Sequence, residues 1–545
     1  SEMDSLPLAV ISTIKRGFNL YIDHLSNCDF SVVLVTFVAS ILFLSNFKLF
    51  DSNFKRSLYA CLRKAPFIRS YIKNKIDKAS KEIHRDIHEK TSRVVYEKKL
   101  PIRGQTAENV LSGARKYKML EYIKWDEGFV SGSVYPRDDK LSGLFSNIYK
   151  EFLWTNPLHP DLFVDIRRME AEVVRMCVTM FHGDKGACGT TTSGGTESIL
   201  LACLAYRQLA RERGIEHPSM VIPVSAHPAF DKAAHYFSIK VIHVPLDPVT
   251  YKVDMIEMKS SITHDTCMLV GSAPGYPHGI IDPIKDISEL GQKYNIPVHV
   301  DCCLGGFLLP FMEKVNYPIE EFDFRLPGVT SISCDTHKYG FAPKGTSVIL
   351  YRDQCYRSRQ YFSQTTWPGG LYASSTLPGS RPGALIATCW ASLMYHGESG
   401  YCESTKRIIS TTRYITDELR KIPGINILGE PNVSIVAFGS NNFNIYKLSH
   451  ALSDKPNGRG WNLNNLQFPP AIHFCVTDMH TVKGCAEKFI HDVKEIVKEM
   501  IKTPNTKSEG SVALYGLSHM LPDRSIIEEL AHCYLDACYD TPSND

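Results

Sequence analysis

The segment Ser333–Gly340 contains the residue with the clearest potential for covalent chemistry. Lys338 follows an apolar run typical of a buried strand, and His337 and hydroxyl-bearing residues come before it. A lysine that forms a Schiff base must lose its proton near neutral pH, whereas the free side chain titrates near ~10.4. Burial and an electron-poor bound group would lower that pKa. We therefore predict that Lys338 is an amine nucleophile with a lowered pKa.

Two further candidates each follow a predicted strand. Asp301 ends the apolar run Val298-His299-Val300-Asp301, and His227 follows the run MVIPV at 220. Ligands gather at the carboxyl ends of strands in open α/β sheets, so both residues are well placed to bind one. Taken singly, each has a plainer alternative. Asp301 could cap a helix, and His227 could be structural rather than a base or a ring stacked on a cofactor.

The run Thr192–Ser198 has a Gly-Gly turn, Gly194-Gly195, directly before a strong helical pattern. Such a turn offers backbone N–H groups and the positive end of a helix to an anion. It lacks the Gly-Lys-Ser/Thr of a nucleotide P-loop, so the anion need not be a nucleoside triphosphate. A simple Ser/Gly helix cap is the alternative.

Together these four signals describe one ligand. A phosphate at the Gly-Gly turn, a ring under His227, a pyridinium nitrogen on Asp301 and an aldehyde on Lys338 match pyridoxal phosphate. The sequence therefore predicts a pyridoxal-phosphate enzyme.

The elements that position these residues alternate between strand and helix from about residue 165. Apolar strands separated by helices predict an α/β fold with a mostly parallel central sheet, followed after about residue 390 by a smaller α+β domain. The predicted strands begin at 220, 240, 267, 297, 328 and 346 in the first part and at 434 and 472 in the second.

Composition excludes several classes of protein. The net charge of +3 over 545 residues gives no indication of nucleic-acid binding. The 16 cysteines include no C-x-x-C pair, so neither a zinc site nor a thioredoxin-like motif is expected. Their scatter is typical of a reducing, cytosolic environment.

Residues 30–47 form an uncharged apolar run, which as a helix would span about 27 Å. Basic residues are few before the run and many after it, which predicts a membrane helix with a cytosolic C-terminal body. A secretory signal peptide or a buried core helix is the alternative. The following basic segment has a stripe of isoleucines that could lie on lipid headgroups, form a solvated stalk or pack on the catalytic body.

Further motifs narrow the family. The chain from about residue 105 to 540 resembles the fold-type I enzymes of the group II decarboxylase type, and among them the sphingosine-1-phosphate lyase family. The resemblance rests on Ser131–Tyr135, Asn156–Asp161, Asp335–Gly340 with Lys344, and Gly379–Gly383. It implies pyridoxal-phosphate-dependent retro-aldol cleavage of phosphorylated sphingoid bases to a long-chain aldehyde and phosphoethanolamine.

The resemblance also implies a role for each site residue. Lys338 would hold the cofactor, Asp301 would pair with its ring nitrogen and His227 would stack on the ring. The cofactor phosphate would be held by Gly194, Gly195, Thr196, Ser333 and His337. Tyr135, His159 and Lys344 would face the substrate phosphate or the reacting hydroxyl. A homodimer with shared sites is implied, in which Tyr372 and the loop from Gly379 reach the partner's cofactor.

Lys344 separates the alternatives, because a decarboxylase must recognise a carboxylate whereas this lyase needs cations for a phosphate. An amino-acid decarboxylase, a membrane scaffold without activity and a surface position for Lys344 remain open. The resemblance places the protein in the endoplasmic reticulum membrane. The expected segments are a lumenal tail (1–29), a membrane helix (30–48), a basic linker (49–104), an arm (105–164), a large domain (165–389) and a small domain (390–545).

Overall fold

The computed structural model describes residues 66–120, 123–453, 459–502 and 525–542. The α-helices are α1 (Pro66–Thr91), α2 (Ala107–Lys118), α3 (Asp139–Phe152), α4 (Val164–Met180), α5 (Gly195–Glu212), α6 (Ala229–Phe237), α7 (Met255–Ser260), α8 (Ile284–Tyr294), α9 (Leu309–Met312), α10 (Gln354–Arg357), α11 (Gly383–Arg420), α12 (Ile445–Ser453), α13 (Cys485–Lys502) and α14 (Ser525–Tyr539). The strands are β1 (Cys188–Thr192), β2 (Ser219–Pro223), β3 (Lys240–Val244), β4 (Thr266–Ser272), β5 (Val298–Asp301), β6 (Val329–Cys334), β7 (Ser347–Tyr351), β8 (Phe362–Gln364), β9 (Tyr372–Ser374), β10 (Asn426–Ile427), β11 (Ile435–Gly439), β12 (Asn464–Leu466) and β13 (Ala471–Cys475).

Internal contacts divide the chain into two units, residues 1–122 with 508–545 and residues 123–507. The larger unit is built on a seven-stranded sheet of order β1-β7-β6-β5-β4-β2-β3. The pairs from β3 through to β6 are parallel, and β7 runs antiparallel to both of its neighbours. The predicted mostly parallel sheet is therefore confirmed.

Burial on both faces explains the unbroken apolar strands. Every residue of β4, β5 and β6 is buried, as in a parallel sheet covered by helices on both sides. In register, Asp301 at the end of β5 lies opposite Ser333 near the end of β6. The strands that carry the predicted site residues thus end at the same edge of the sheet.

A second sheet follows in the same unit. It is antiparallel, with the order β10-β11-β13-β12. Helix α11 leads into it and contains a kink at Gly397, whose φ of 55° suits a residue without a side chain. The predicted boundary at residue 389/390 falls within α11, and the domain limits stay predictions.

The smaller unit contains α1, α2 and α14. Helix α1 packs along α14, and the isoleucines of its stripe, Ile72, Ile76, Ile83 and Ile87, are half-buried. The predicted membrane helix at residues 30–47 lies outside the described residues. None of the helices that the structure describes has the length and apolar character needed to cross a bilayer.

Candidate active site

Lys338 lies in the loop after β6 and forms an ion pair with Asp335. Its Nζ is 2.9 Å from Asp335 Oδ2, and its side chain is 22% exposed. Burial is the largest single influence and lowers the pKa of Lys338, but the Asp335 carboxylate, Cys303 and Tyr135 together raise it by more. The net pKa of Lys338 is therefore raised by this chain's own residues. Burial alone does not give the expected lowered value, and the lowering with an electron-poor group bound stays a prediction. The Asp335 carboxylate, three residues before Lys338, accounts for much of this difference.

Asp335 is almost fully buried, and its ionisation depends on the side chains around it. Burial raises its pKa, but Lys338 and then His337 lower it by more, so the net pKa is lowered. His337 Nε2 is 3.6 Å from Asp335 Oδ2, and His337 Nδ1 accepts a hydrogen bond from the Thr346 N–H at 3.2 Å. Because Nδ1 is an acceptor, neutral His337 has its proton on Nε2, which faces the carboxylate.

The Gly-Gly turn packs directly against Asp335. Gly195 begins α5, and a Cβ atom there would lie 2.8 Å from both Asp335 Oδ1 and Cys303 Sγ. A Cβ on Gly194 would lie 3.4 Å from His337 Cε1. Any residue larger than glycine at 195 would displace the lysine–aspartate loop, so the turn and the loop form one cradle at the start of a helix.

Glu197 fixes this cradle. Its carboxylate accepts hydrogen bonds from the Ser193 N–H at 2.6 Å and from the Leu377 N–H at 3.1 Å. It therefore joins the first turn of α5 to the loop that leads to Gly379. Neither Glu197 nor Asp335 was predicted as a site residue. The sequence did offer a signal for both: Glu197 lies two residues after the Gly-Gly turn, and Asp335 lies three residues before Lys338.

Asp301 is buried at the end of β5. Its Oδ1 accepts hydrogen bonds from the Cys303 N–H at 3.0 Å and from the Ser333 hydroxyl at 3.3 Å. His299 lies one layer deeper, where its ring nitrogens contact the hydroxyls of Ser331 at 2.7 Å and Ser333 at 3.2 Å. Burial lowers the pKa of His299 to about 4, so the ring is neutral. These contacts hold Asp301 at the edge of the sheet next to Lys338's loop.

Lys344 and Tyr135 meet on the other side of this loop. Lys344 Nζ lies 4.6 Å from the centroid of the Tyr135 ring and donates a hydrogen bond to His337 O at 3.3 Å. Burial, and then the positive charge of Lys338, lower the pKa of Lys344 to about 8. Burial also raises the pKa of Tyr135, so the phenol stays protonated. Within the described chain, no carboxylate forms an ion pair with Lys344.

Three other predicted residues have contacts or positions of their own. His227 follows β2 at the same edge of the sheet, where its Nδ1 accepts a hydrogen bond from the Ala229 N–H at 3.1 Å. The His159 side chain is exposed. Thr196 lies in the first turn of α5. In the described part of the chain, no hydrogen bond or ion pair joins any of these three residues to Lys338.

Tyr372 and Gly379 approach each other on a separate loop. A Cβ atom on Gly379 would lie 2.8 Å from the Tyr372 hydroxyl. The same loop contacts the Asn156 motif, because Asn156 donates to Ser380 Oγ at 3.1 Å and accepts from the Arg381 N–H at 3.1 Å. The sequence motifs Asn156–Asp161 and Gly379–Gly383 thus form one structural unit.

Known proteins resemble this chain over most of its length. Residues 91–441 match the family model of the pyridoxal-dependent decarboxylase conserved domain. Sphingosine-1-phosphate lyase 1 of Rattus norvegicus is 49% identical, with 90% of this chain and 85% of the relative covered. The sphingosine-1-phosphate lyase of Drosophila melanogaster is 47% identical, with 90% and 89% covered.

A solved structure agrees with these relatives. The sphingosine-1-phosphate lyase of Burkholderia pseudomallei superposes with a TM-score of 0.74 at 42% identity, covering 82% of this chain and 98% of that one. The Gly-Gly cradle, the Lys338–Asp335 pair and the strand-end Asp301 all lie within the matched region. The chain therefore belongs to the sphingosine-1-phosphate lyase family of pyridoxal-phosphate-dependent enzymes.

Proposed function

We propose that this chain cleaves phosphorylated sphingoid long-chain bases, such as sphingosine 1-phosphate, to a long-chain aldehyde and phosphoethanolamine. One observation carries the proposal beyond family membership: two lysines adjoin the same loop, and they differ in charge pairing. Lys338 is paired with Asp335, whereas Lys344 stands beside Tyr135 with no carboxylate partner among the described residues. An ammonium without a carboxylate partner keeps its positive charge available, and together with a neighbouring phenol it suits a phosphate.

The described residues fit the cofactor of the family. Gly195 leaves space where a side chain would strike Asp335, and the start of α5 supplies N–H groups for a phosphate. Lys338 would hold the aldehyde carbon and Asp301 the ring nitrogen, with His227 against the ring. Gly194, Thr196, Ser333 and His337 would complete the phosphate site. When bound, pyridoxal phosphate supplies an aldehyde that condenses with amines and a ring that accepts an electron pair.

The reaction places definite demands on the chain. A proton must leave the C3 hydroxyl of the substrate, the C2–C3 bond must break, and a proton must return to C2. Asp335 stabilises the protonated form of Lys338. Whenever its amine is not bound to the cofactor, Lys338 can therefore hold a proton inside the cradle. Lys338, His159 and the substrate's own phosphate are the candidate proton carriers. General acid–base assistance contributes ~100- to 10,000-fold, so the carrier is identifiable from mutant rates.

Substrate recognition would rest on Lys344 and Tyr135, with His159 nearby in the dimer. Protonated Lys344 binds the phosphate, and Tyr135 donates its hydroxyl hydrogen because burial keeps it protonated. An amino-acid decarboxylase on the same fold is the rival function. It would need a cation directed at the substrate carboxylate beside the cofactor.

A homodimer and a membrane anchor complete the proposal. Tyr372 and the loop from Gly379 would reach the partner's cofactor, and residues 30–47 would hold the protein in the endoplasmic reticulum membrane with its body in the cytosol. A long-chain substrate partitions into lipid, so an anchored enzyme meets it at a high local concentration. Resistance of the full chain to alkaline extraction from membranes, lost on deletion of residues 30–47, would test the anchor.

The decisive experiment compares products. Purified protein with pyridoxal phosphate is incubated with sphingosine 1-phosphate and, separately, with glutamate and aromatic amino acids. Release of hexadecenal and phosphoethanolamine from the first supports the proposal. Release of carbon dioxide from an amino acid, without aldehyde from the lipid, contradicts it.

A further inference from the structure

The smaller unit contains a cluster of metal-binding side chains that the lyase reaction does not use. His84 and His88 lie four residues apart on α1, so both imidazoles project from one face of the helix. Asp540 follows α14, the helix that packs along α1. One ligand atom from each of the three residues lies within 4.8 Å of the others.

The geometry is close to what a tetrahedral ion requires. His84 Nδ1 is 3.5 Å from Asp540 Oδ2. Ligand bonds of about 2.0–2.2 Å at tetrahedral angles separate neighbouring ligand atoms by about 3.3–3.6 Å. The His84–Asp540 pair already has this spacing, and the ligand atom of His88 lies within 4.8 Å of both.

Neighbouring groups orient the second imidazole. The Tyr96 hydroxyl lies 3.3 Å from His88 Nδ1 and 2.8 Å from the Thr91 hydroxyl, so His88 can coordinate through Nε2 while Nδ1 keeps this contact. Such outer contacts fix the ring of a metal-binding histidine. Lys98 donates a hydrogen bond to Pro542 O, which holds the segment that carries Asp540.

We propose that His84, His88 and Asp540 bind a divalent transition-metal ion, Zn²⁺ or one with similar preferences, that tethers the C-terminal segment to α1. Two imidazoles and one carboxylate are a donor set suited to zinc, with a fourth position left to water. The His84 side chain is 30% exposed and that of Asp540 54%, so an ion and its water ligand have access. An ordinary histidine–aspartate pair needs only one imidazole, and the second histidine at the same face distinguishes this cluster.

The test uses the full chain loaded with pyridoxal phosphate, stripped of metal and dialysed against Co²⁺ or Zn²⁺ alone. Wild-type protein should retain one more tightly bound ion per chain than His88→Ala, and Asp540→Asn should lose the same ion. Asp540 lies outside the helix and is exposed, so its amide leaves the packing of α1 on α14 unchanged. The control is His264→Ala, because His264 also pairs with an aspartate, Asp265 at 3.3 Å, but has no second histidine.

The Co²⁺ spectrum identifies the donors. Nitrogen and oxygen ligands give d–d bands without the thiolate charge-transfer band that Cys538, two residues before Asp540, would produce. Equal ion counts in wild type, His88→Ala and Asp540→Asn would overturn the proposal, as would a thiolate band in the wild-type spectrum. Loss of the ion in both variants and its retention in His264→Ala would support it. Lyase activity is measured in parallel and should not change, which separates this result from the proposed function.

Discussion

The side chains of the loop around Lys338 contact other residues of the same chain, whereas the loop around Tyr372 carries large exposed apolar side chains. The first follows a fully buried strand, and its carboxylate, imidazole and two lysines contact one another or the Gly-Gly turn. The second is a hairpin of two three-residue strands. Several of its large apolar side chains are exposed: Phe362 by 58%, Trp367 by 56%, Leu371 by 78% and Leu377 by 50%.

This difference distinguishes two kinds of predicted site residue. Lys338 and Asp301 are held by contacts within their own chain, so their positions follow from folding of the larger unit. Tyr372 and Gly379 lie against each other, and the loop after Gly379 contacts Asn156. The described residues leave the large apolar side chains of this hairpin exposed. Burying such surface stabilises by about 25 cal/mol per Å², so the proposed second subunit would gain stability by covering this hairpin.

Replacing Lys338 should have the largest effect on the first loop. Lys338→Ala removes the amine that holds the cofactor, so we expect kcat to fall by at least ~1000-fold. The visible absorption band of the enzyme-bound cofactor should disappear as well. Product release from sphingosine 1-phosphate and an absorption spectrum measure the two effects. Lys185→Ala, an exposed lysine, serves as the control; normal turnover in Lys338→Ala would remove the proposed mechanism.

Asp335→Asn tests whether the ion pair organises this loop. The carboxylate raises the pKa of Lys338, so its loss should let burial lower that pKa. In the cofactor-free protein, Lys338 should then react faster with an acylating reagent near pH 8. Breaking a buried pair is also costly, and we expect kcat/KM to fall by ~100-fold. An unchanged labelling rate across pH 7–10 would show that Asp335 does not control the lysine.

The sequence predicts the elements of the first loop for a physical reason, whereas the roles predicted for the second loop stay predictions. Strand ends, the Gly-Gly turn and Lys338 are local patterns, and the parallel sheet then brings 301 and 333 into register. Burial alone does not account for the raised pKa of Lys338, because that pKa also depends on a 2.9 Å contact that residue type does not give. The role of Glu197 was missed because its second partner, Leu377, is distant in sequence.

Ionisation of Lys344 should make kcat/KM depend on pH near 8, which ionisation of Lys338 should not. Its pKa is lowered to about 8, so the ammonium is charged below that pH and lost above it. A charge-assisted hydrogen bond to phosphate is worth roughly 1.5–3 kcal/mol, so Lys344→Ala should lower kcat/KM by at least ~10-fold. In the wild type, kcat/KM should fall as pH rises through about 8. Lys344→Arg should remove that fall because arginine stays charged; a fall that persists in the arginine variant assigns it to another group.

Partial recovery of activity in mixed dimers is the smallest expected effect, and it tests directly whether the Tyr372 loop serves the partner's site. If Tyr372 serves the partner's cofactor, co-expressed Lys338→Ala and Tyr372→Ala chains form mixed dimers in which one of the two sites is intact. Random assembly makes half of the dimers mixed, so activity should return to roughly one quarter of wild type.

The matched control combines Lys338→Ala with Lys344→Ala. Lys338 and Lys344 belong to one loop of one chain, so every site in that mixture carries at least one substitution and activity should stay at the level of the parents. Activity of each mixture is compared with the mean of its two parent proteins at equal chain concentration. Recovery in the first mixture but not in the second requires a site built from two subunits. If activity does not recover in either mixture, Tyr372 belongs to its own chain's site. The exposed hairpin would then have to be covered by something other than the partner's active site.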